Sequence, residues 1–69
     1  MGMSDQDYVN FSQDHELNYR LRRLGKRQTE DNREMLRRMG EELKTQAGKP
    51  RLQHGDFHTY ASKEKRRLD

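Results

Sequence analysis

Two segments of helical length, each closed by a glycine, constrain the fold of this chain most strongly. The first runs from Ser12 to Gly25. Its leucines recur at the spacing of one helix face: Leu17, Leu21 and Leu24. Ser12 is expected to cap the first turn with its hydroxyl, and Gly25 to end the helix in the left-handed conformation. The pattern therefore predicts a helix from about Gln13 to Leu24.

The second segment runs from Thr29 to Gly48, and Thr29 is expected to cap it. Four apolar residues define its buried face: Met35, Leu36, Met39 and Leu43. Gly40 lies inside this segment, where it predicts either local fraying or close packing against a neighbour. With the turn between them, the two segments predict an all-α fold with a two-helix antiparallel, helix-turn-helix-like core over residues 12–48.

The two ends of the chain are expected to be less ordered than this core. Residues 1–11 predict a flexible arm, in which Tyr8, Val9 and Phe11 either cover the bottom of the core or form a hook for a partner strand. Residues 49–69 predict a basic tail, partly ordered or disordered. A third helix could begin there at Gly55-Asp56, with Asp56 as its cap. The residues that would share its face are Phe57, Tyr60, Ala61 and Leu68.

Composition allows one small domain with little apolar surface to bury. The chain has 69 residues, of which 39% are charged and 28% hydrophobic, and it contains no cysteine. Disulfides are therefore excluded, and the fold is either marginally stable or completed by a partner. No apolar run reaches the length of a membrane span, and no secretory signal is recognisable. We expect a cytoplasmic monomer that does not enter a membrane.

Charge is distributed unevenly along the chain. The first 16 residues carry four acidic side chains and no basic one, although the net charge of the whole chain is +3. Residues 17–29 carry five basic side chains and no acidic one: Arg20, Arg22, Arg23, Lys26 and Arg27. Such a cluster is either a solvated helix end that complements the helix dipole or a surface for an anionic partner. The density of basic residues favours a partner, namely an acidic protein surface or nucleic-acid phosphates nearby. Tyr8 and Phe11 complete the predicted partner-binding set.

Catalytic and metal-binding patterns find no support in the sequence. His54 and His58 are four residues apart, but Gly55 is expected to prevent a helix there and no further ligand accompanies them. We therefore expect no metal and no cofactor. A helix-turn-helix protein would read bases with the first residues of its second helix, and those residues are Glu30, Asp31 and Glu34. Their negative charge would repel DNA phosphates, so DNA reading is kept only as an alternative.

The segment VNFSQDHELNYRLRRLGKRQTEDNREMLRRMG, from Val9 to Gly40, resembles a family of short bacterial proteins of unknown function. The length of the chain, its mosaic of charge and its terminal arms are also similar to small phage-encoded regulators of host bacterial RNA polymerase. This resemblance implies contact with the large catalytic subunits of the polymerase, inhibition of initiation by displacement of the sigma factor, and antitermination.

We therefore expect a non-enzymatic, protein-binding transcription regulator. A small helix-turn-helix DNA-binding protein is the first alternative. A structural or toxin–antitoxin-like partner peptide is the second.

Overall fold

The computed structural model describes residues 8–69 and confirms the all-α class for that part of the chain. Three α-helices form, followed by a short 3-10 helix at Lys65–Arg67. The α-helices are α1 at Asp14–Arg23, α2 at Glu30–Ala47 and α3 at His54–Lys63. Among residues 8–69 no strand is present, and the single β-bridge joins Tyr8 to Gln53. None of the helices in this range is long and apolar enough to cross a membrane.

The predicted capping of α1 by Ser12 is wrong, and the predicted role of Gly25 at its end is confirmed. Gln13 occupies the N-cap position without a side-chain capping bond. Ser12 lies one residue before the N-cap, and its hydroxyl donates to Asn10 Oδ1 at 2.6 Å. Gly25 ends the helix region with a positive φ of 73°, the left-handed geometry that glycine adopts most easily.

Both ends of α2 are as predicted. The Thr29 hydroxyl accepts the backbone N–H of Asn32 at 3.2 Å, and Gly48 closes the helix with a φ of 65°. Gly40 lies in a continuous helix and packs closely, because a Cβ at that position would be 2.5 Å from Cζ of Phe11. The alternative of local fraying is therefore wrong, and the glycine makes room for an aromatic ring.

The third helix is a full part of the core. It begins at His54 with Gln53 at the N-cap, so Asp56 lies in its first turn rather than at its cap. Buried apolar residues come from all three helices and from the segments beside α3: Leu17, Leu21, Leu24, Leu36, Met39, Leu52, Phe57, Ala61 and Leu68. The core therefore extends beyond residues 12–48. Two short helices in so polar a chain bury too little apolar surface alone.

The last residues of the predicted arm are fixed on this core. The Val9 N–H donates to the Leu52 carbonyl at 2.9 Å. The Phe11 ring meets Phe57 edge-to-face, with centroids 5.0 Å apart and an interplanar angle of 85°. Val9 and Phe11 therefore cover the core, as the first of the two interpretations predicts. The rest of the predicted arm lies outside the described residues.

Candidate functional site

The side of α1 that faces away from the core carries an aromatic ring among polar and basic side chains. His15, Tyr19 and Arg22 recur at i, i+4 and i+7, and Arg23 follows. All four are exposed. Tyr19 is 57% exposed and is the one large hydrophobic side chain classed as exposed among residues 8–69. A surface groove of about 540 Å³ is lined in part by Tyr19, Arg22 and Gln28.

Four residues of the predicted basic cluster lie on this side of α1 or in the turn that follows it. Arg22, Arg23 and Arg27 are exposed and Lys26 is half-buried. No acidic side chain of residues 8–69 forms an ion pair with any of these four cations. We call the set the α1–turn surface, and its members are His15, Tyr19, Arg22, Arg23, Lys26 and Arg27. It combines an aromatic ring with unneutralised positive charge, which can bind an anionic partner.

Arg20 does not belong to this surface, so its predicted place in an exposed patch is wrong. Its side of α1 faces α3, and the residue is only 5% exposed. The guanidinium lies 2.8 Å from Nδ1 of His58 and 3.1 Å from Nδ1 of His54. Because a guanidinium can only donate, the Nδ1 atom of each ring is the acceptor in these two contacts. Arg20 therefore holds α3 against α1.

Burial and neighbouring charges lower two pKa values where α1 meets α3. Burial, Arg20 and Arg23 together lower the pKa of His58, and burial followed by Arg23 lowers the pKa of Arg20. Glu16 lies on the same side, with its Oε1 3.8 Å from Nε2 of His54. The expectation that Gly55 prevents a helix here is wrong, since both histidines lie in α3.

Residues 8–69 contain no group of three or more His, Cys, Asp or Glu side chains placed to hold a metal ion. The Nδ1 atoms of His54 and His58 face Arg20 instead.

Several basic side chains elsewhere are neutralised within the molecule. Arg37 pairs with Asp14 at 3.0 Å and with Glu34 at 3.0 Å, which ties α2 to the start of α1. Arg67 donates through both Nη atoms to Glu42 at 2.8 Å. Hydrogen bonds from Arg67 and then from the Tyr60 hydroxyl lower the pKa of Glu42 to about 2.

Tyr8 and Phe11, the two aromatic residues of the predicted partner-binding set, lie elsewhere. Phe11 packs on Phe57 and Gly40, and Lys44 Nζ is 5.1 Å from its ring centroid. Gly40 is ten residues along α2 from its start, about 15 Å at the helical rise. The structure therefore packs Phe11 against the core, away from the turn, and Tyr8 pairs with Gln53.

Tyr19 and His15 were missing from the predicted site. The signal for them was present, because positions 15, 19 and 22 fall on the side of α1 opposite the leucines.

Comparison of the chain with protein-family models, curated proteins and solved structures gave no match. The candidate site therefore rests on its geometry.

Proposed function

We propose that this protein is a non-enzymatic regulator that binds an acidic surface of a partner protein through its α1–turn surface. One observation carries the proposal: four cations beside an exposed tyrosine have no acidic partner within residues 8–69. Tyrosine and arginine are the residue types most enriched where protein interfaces derive their affinity. A cluster of unpaired cations also raises the association rate with an acidic partner.

The partner that we propose is bacterial RNA polymerase, with contact to its large catalytic subunits, because the chain resembles small phage-encoded regulators of that enzyme. Docked there, the protein would displace the sigma factor from initiation or act in antitermination. The scaffold in this proposal is an antiparallel pair of helices, α1 and α2. Two contacts support that arrangement. Asp14, at the start of α1, pairs with Arg37 of α2. Asn18, one turn further along α1, accepts from Arg33, one turn closer to the start of α2.

The helix-turn-helix alternative assigns base reading to the start of α2, and its side chains speak against it. Glu30, Asp31 and Glu34 are exposed there. Glu30 and Glu34 are engaged in ion pairs with Arg33 and Arg37. Asp31 has no ion pair within residues 8–69, so three carboxylates against Arg33 and Arg37 leave this helix start with a net negative charge, which would repel DNA phosphates.

The proposal is tested by titrating isotope-labelled protein with RNA polymerase core enzyme and following the amide signals. We expect selective loss of signals from α1 and the turn. Arg23→Glu should weaken binding by about tenfold or more, because it places a negative charge against an acidic surface. Lys49→Glu is the matched control, since Lys49 is also exposed but lies beyond the far end of α2.

Two results would contradict the proposal. One is an affinity for the polymerase that Arg23→Glu leaves unchanged while the variant stays folded. The other is an equal loss of affinity in Lys49→Glu, which would show a general effect of net charge rather than a docking surface.

A further inference from the structure

The contact between α1 and α3 holds a buried cation without a carboxylate. Arg20 is 5% exposed, and its side chain bonds to Nδ1 of His58 at 2.8 Å and to Nδ1 of His54 at 3.1 Å. No carboxylate of residues 8–69 lies within ion-pair distance of its guanidinium. A buried charge ordinarily requires an opposite charge beside it. The position of Arg20 therefore depends on two rings that accept only while their Nδ1 atoms carry no proton.

Protonation of either ring reverses this contact. An imidazolium carries a hydrogen on both nitrogens, so it cannot accept from the guanidinium. It also places a second positive charge at hydrogen-bond distance from the first. Arginine keeps its proton in proteins, whereas histidine changes its charge near physiological pH. The interaction that joins α1 to α3 is therefore attractive while the rings are neutral and repulsive once they are charged.

Glu16 offers Arg20 an alternative partner on the same helix. It precedes Arg20 by four residues, the order in which an acidic and a basic side chain pair best on a helix. Its Oε1 accepts the Asn10 N–H at 3.3 Å and lies 3.8 Å from Nε2 of His54. This carboxylate is therefore close enough to α3 to receive the guanidinium when the rings no longer accept it.

The charged groups that act on the two rings come from α1. Burial, Arg20 and Arg23 lower the pKa of His58, and Glu16 is the acidic group beside His54. Within residues 8–69, no hydrogen bond or ion pair joins either ring to a charged side chain of α2 or of the 3-10 helix. The charge on the rings is therefore governed by the contact between α1 and α3.

We infer that His58, Arg20 and Glu16 form a proton-operated switch, in which protonation of His58 transfers the Arg20 guanidinium from the two rings to Glu16. The three helices stay folded during the transfer, because the buried apolar residues of the core take no part in it. The attachment of α3 to α1 is thus weaker in acid. This inference goes beyond the proposed function, which uses the outer side of α1.

The test is a magnetic-resonance titration of the isotope-labelled full chain between about pH 7.5 and about pH 5, the range in which histidine titrates. The ring signals of His58 and the Nε–H signal of Arg20 should change with one shared midpoint. Nuclear Overhauser contacts from Arg20 to the rings of His54 and His58 should be lost, and contacts from Arg20 to Glu16 should appear. The amide signals of the three helices should stay dispersed throughout.

Glu16→Gln tests the alternative partner, because it removes the negative charge but keeps an oxygen for the Asn10 N–H. We expect the midpoint of His58 to move to lower pH, since the guanidinium then has no carboxylate to receive it. Glu41→Gln is the matched control, because it removes an exposed carboxylate of α2 and should leave the midpoint in place. In an Arg20→Met background, Glu16→Gln should no longer move the midpoint, which separates the transfer from a direct effect of Glu16 on the ring.

Three outcomes would overturn the inference. The first is a protonated His58 with the contacts of Arg20 to both rings retained. The second is a midpoint that Glu16→Gln leaves unchanged or moves no further than Glu41→Gln does. The third is a loss of amide dispersion at the midpoint of His58, which would show acid unfolding rather than a switch. If Arg20→Met does not fold, the titrations of the unmodified protein, Glu16→Gln and Glu41→Gln still decide the question.

Discussion

The two sides of α1 carry the same kind of side chain in opposite roles. Arg20 faces α3, is 5% exposed and lies within hydrogen-bond distance of two histidine rings. Arg23, three residues later, is exposed and has no ion pair within residues 8–69. The difference follows from their angular positions relative to the leucine face, since Arg20 borders that face on the side covered by α3. Position on the helix, rather than charge, therefore separates a structural arginine from one left for a partner.

The same contrast recurs after α3, in two adjacent residues. Arg67 is held by Glu42 and Glu64, whereas Arg66 is exposed and without an ion pair in the described part of the chain. A count of basic residues treats the two alike. The contacts divide them into cations that hold the fold together and cations that remain available.

The largest effect that we expect comes from removing the buried member of the first pair. Arg20→Met keeps a long side chain but leaves the Nδ1 atoms of His54 and His58 without their donor. Hydrogen bonds from a charged group contribute about 1.5–3 kcal/mol each, so the free energy of unfolding should fall by about 2–3 kcal/mol. Urea denaturation monitored by circular dichroism measures the change.

Arg23→Met is the matched control for this experiment. It removes the same charge from the same helix, and an exposed position without such contacts should change the stability by about 0.5 kcal/mol or less. Equal losses in the two variants would contradict the division of α1 into a structural side and an available side.

A smaller effect should separate Arg67 from Arg66. Arg67→Met removes the two guanidinium donors to Glu42 and leaves the Tyr60 hydroxyl in place. We expect a measurable decrease in melting temperature, smaller than that of Arg20→Met because the pair is partly exposed. Arg66→Met should leave the melting temperature unchanged. The ion pair of Arg67 with Glu42 should also make the stability of the fold depend on pH, since the folded-state pKa of Glu42 is lowered to about 2 from an ordinary value of 4.5.

The sign of that dependence follows from the direction of the shift. A carboxyl group with a lowered folded-state pKa stabilises the fold above its ordinary pKa, and this contribution is lost as the pH falls from about 4.5 to about 2. Thermal unfolding of the two variants across this range checks it. A loss of stability on acidification that is equally steep with and without Arg67 would contradict the assignment.

Much of the backbone could be predicted from local signals. Thr29, Gly25 and Gly48 mark helix boundaries through properties of a single residue, a capping hydroxyl or freedom at positive φ, and all three occupy the predicted places. Ser12 fails because α1 begins one residue later than the capping pattern places it, with Gln13 at the N-cap. A shift of one residue at a helix start is not visible in a capping pattern.

The parts that could not be predicted depend on contacts between distant residues. Arg20 meets histidines 34 and 38 positions away, and Asn32 meets Asp69 37 positions away. Nothing in the neighbourhood of Gly55 reveals that core contacts of Phe57 outweigh the cost of glycine near a helix start. The exposed Tyr19 was predictable from the helical wheel, whereas the burial of Arg20 required knowledge of where α3 packs.

The smallest effect concerns protonation at the interface between α1 and α3. His58 contacts Arg20 and lies within the electrostatic influence of Arg23, and His54 of the same helix contacts Arg20 and lies 3.8 Å from Glu16. Burial and the two arginines lower the folded-state pKa of His58 below its ordinary 6.5. A histidine with a lowered pKa favours the fold while it is neutral. Its contribution is therefore complete above about pH 6.5 and declines as the pH falls below that value.

We expect the free energy of unfolding to decrease between about pH 7.5 and pH 5.5, and His58→Gln to make that decrease shallower, because glutamine cannot acquire a proton beside Arg20. His15→Gln is the matched control, since it removes an exposed histidine from the outer side of α1 and should leave the decrease as it is. His54 is retained in both variants, so the difference between them isolates His58. If the two substitutions flattened the profile equally, the pH sensitivity would not come from the inner side of α1, and the contrast between its two sides would rest on Arg20 alone.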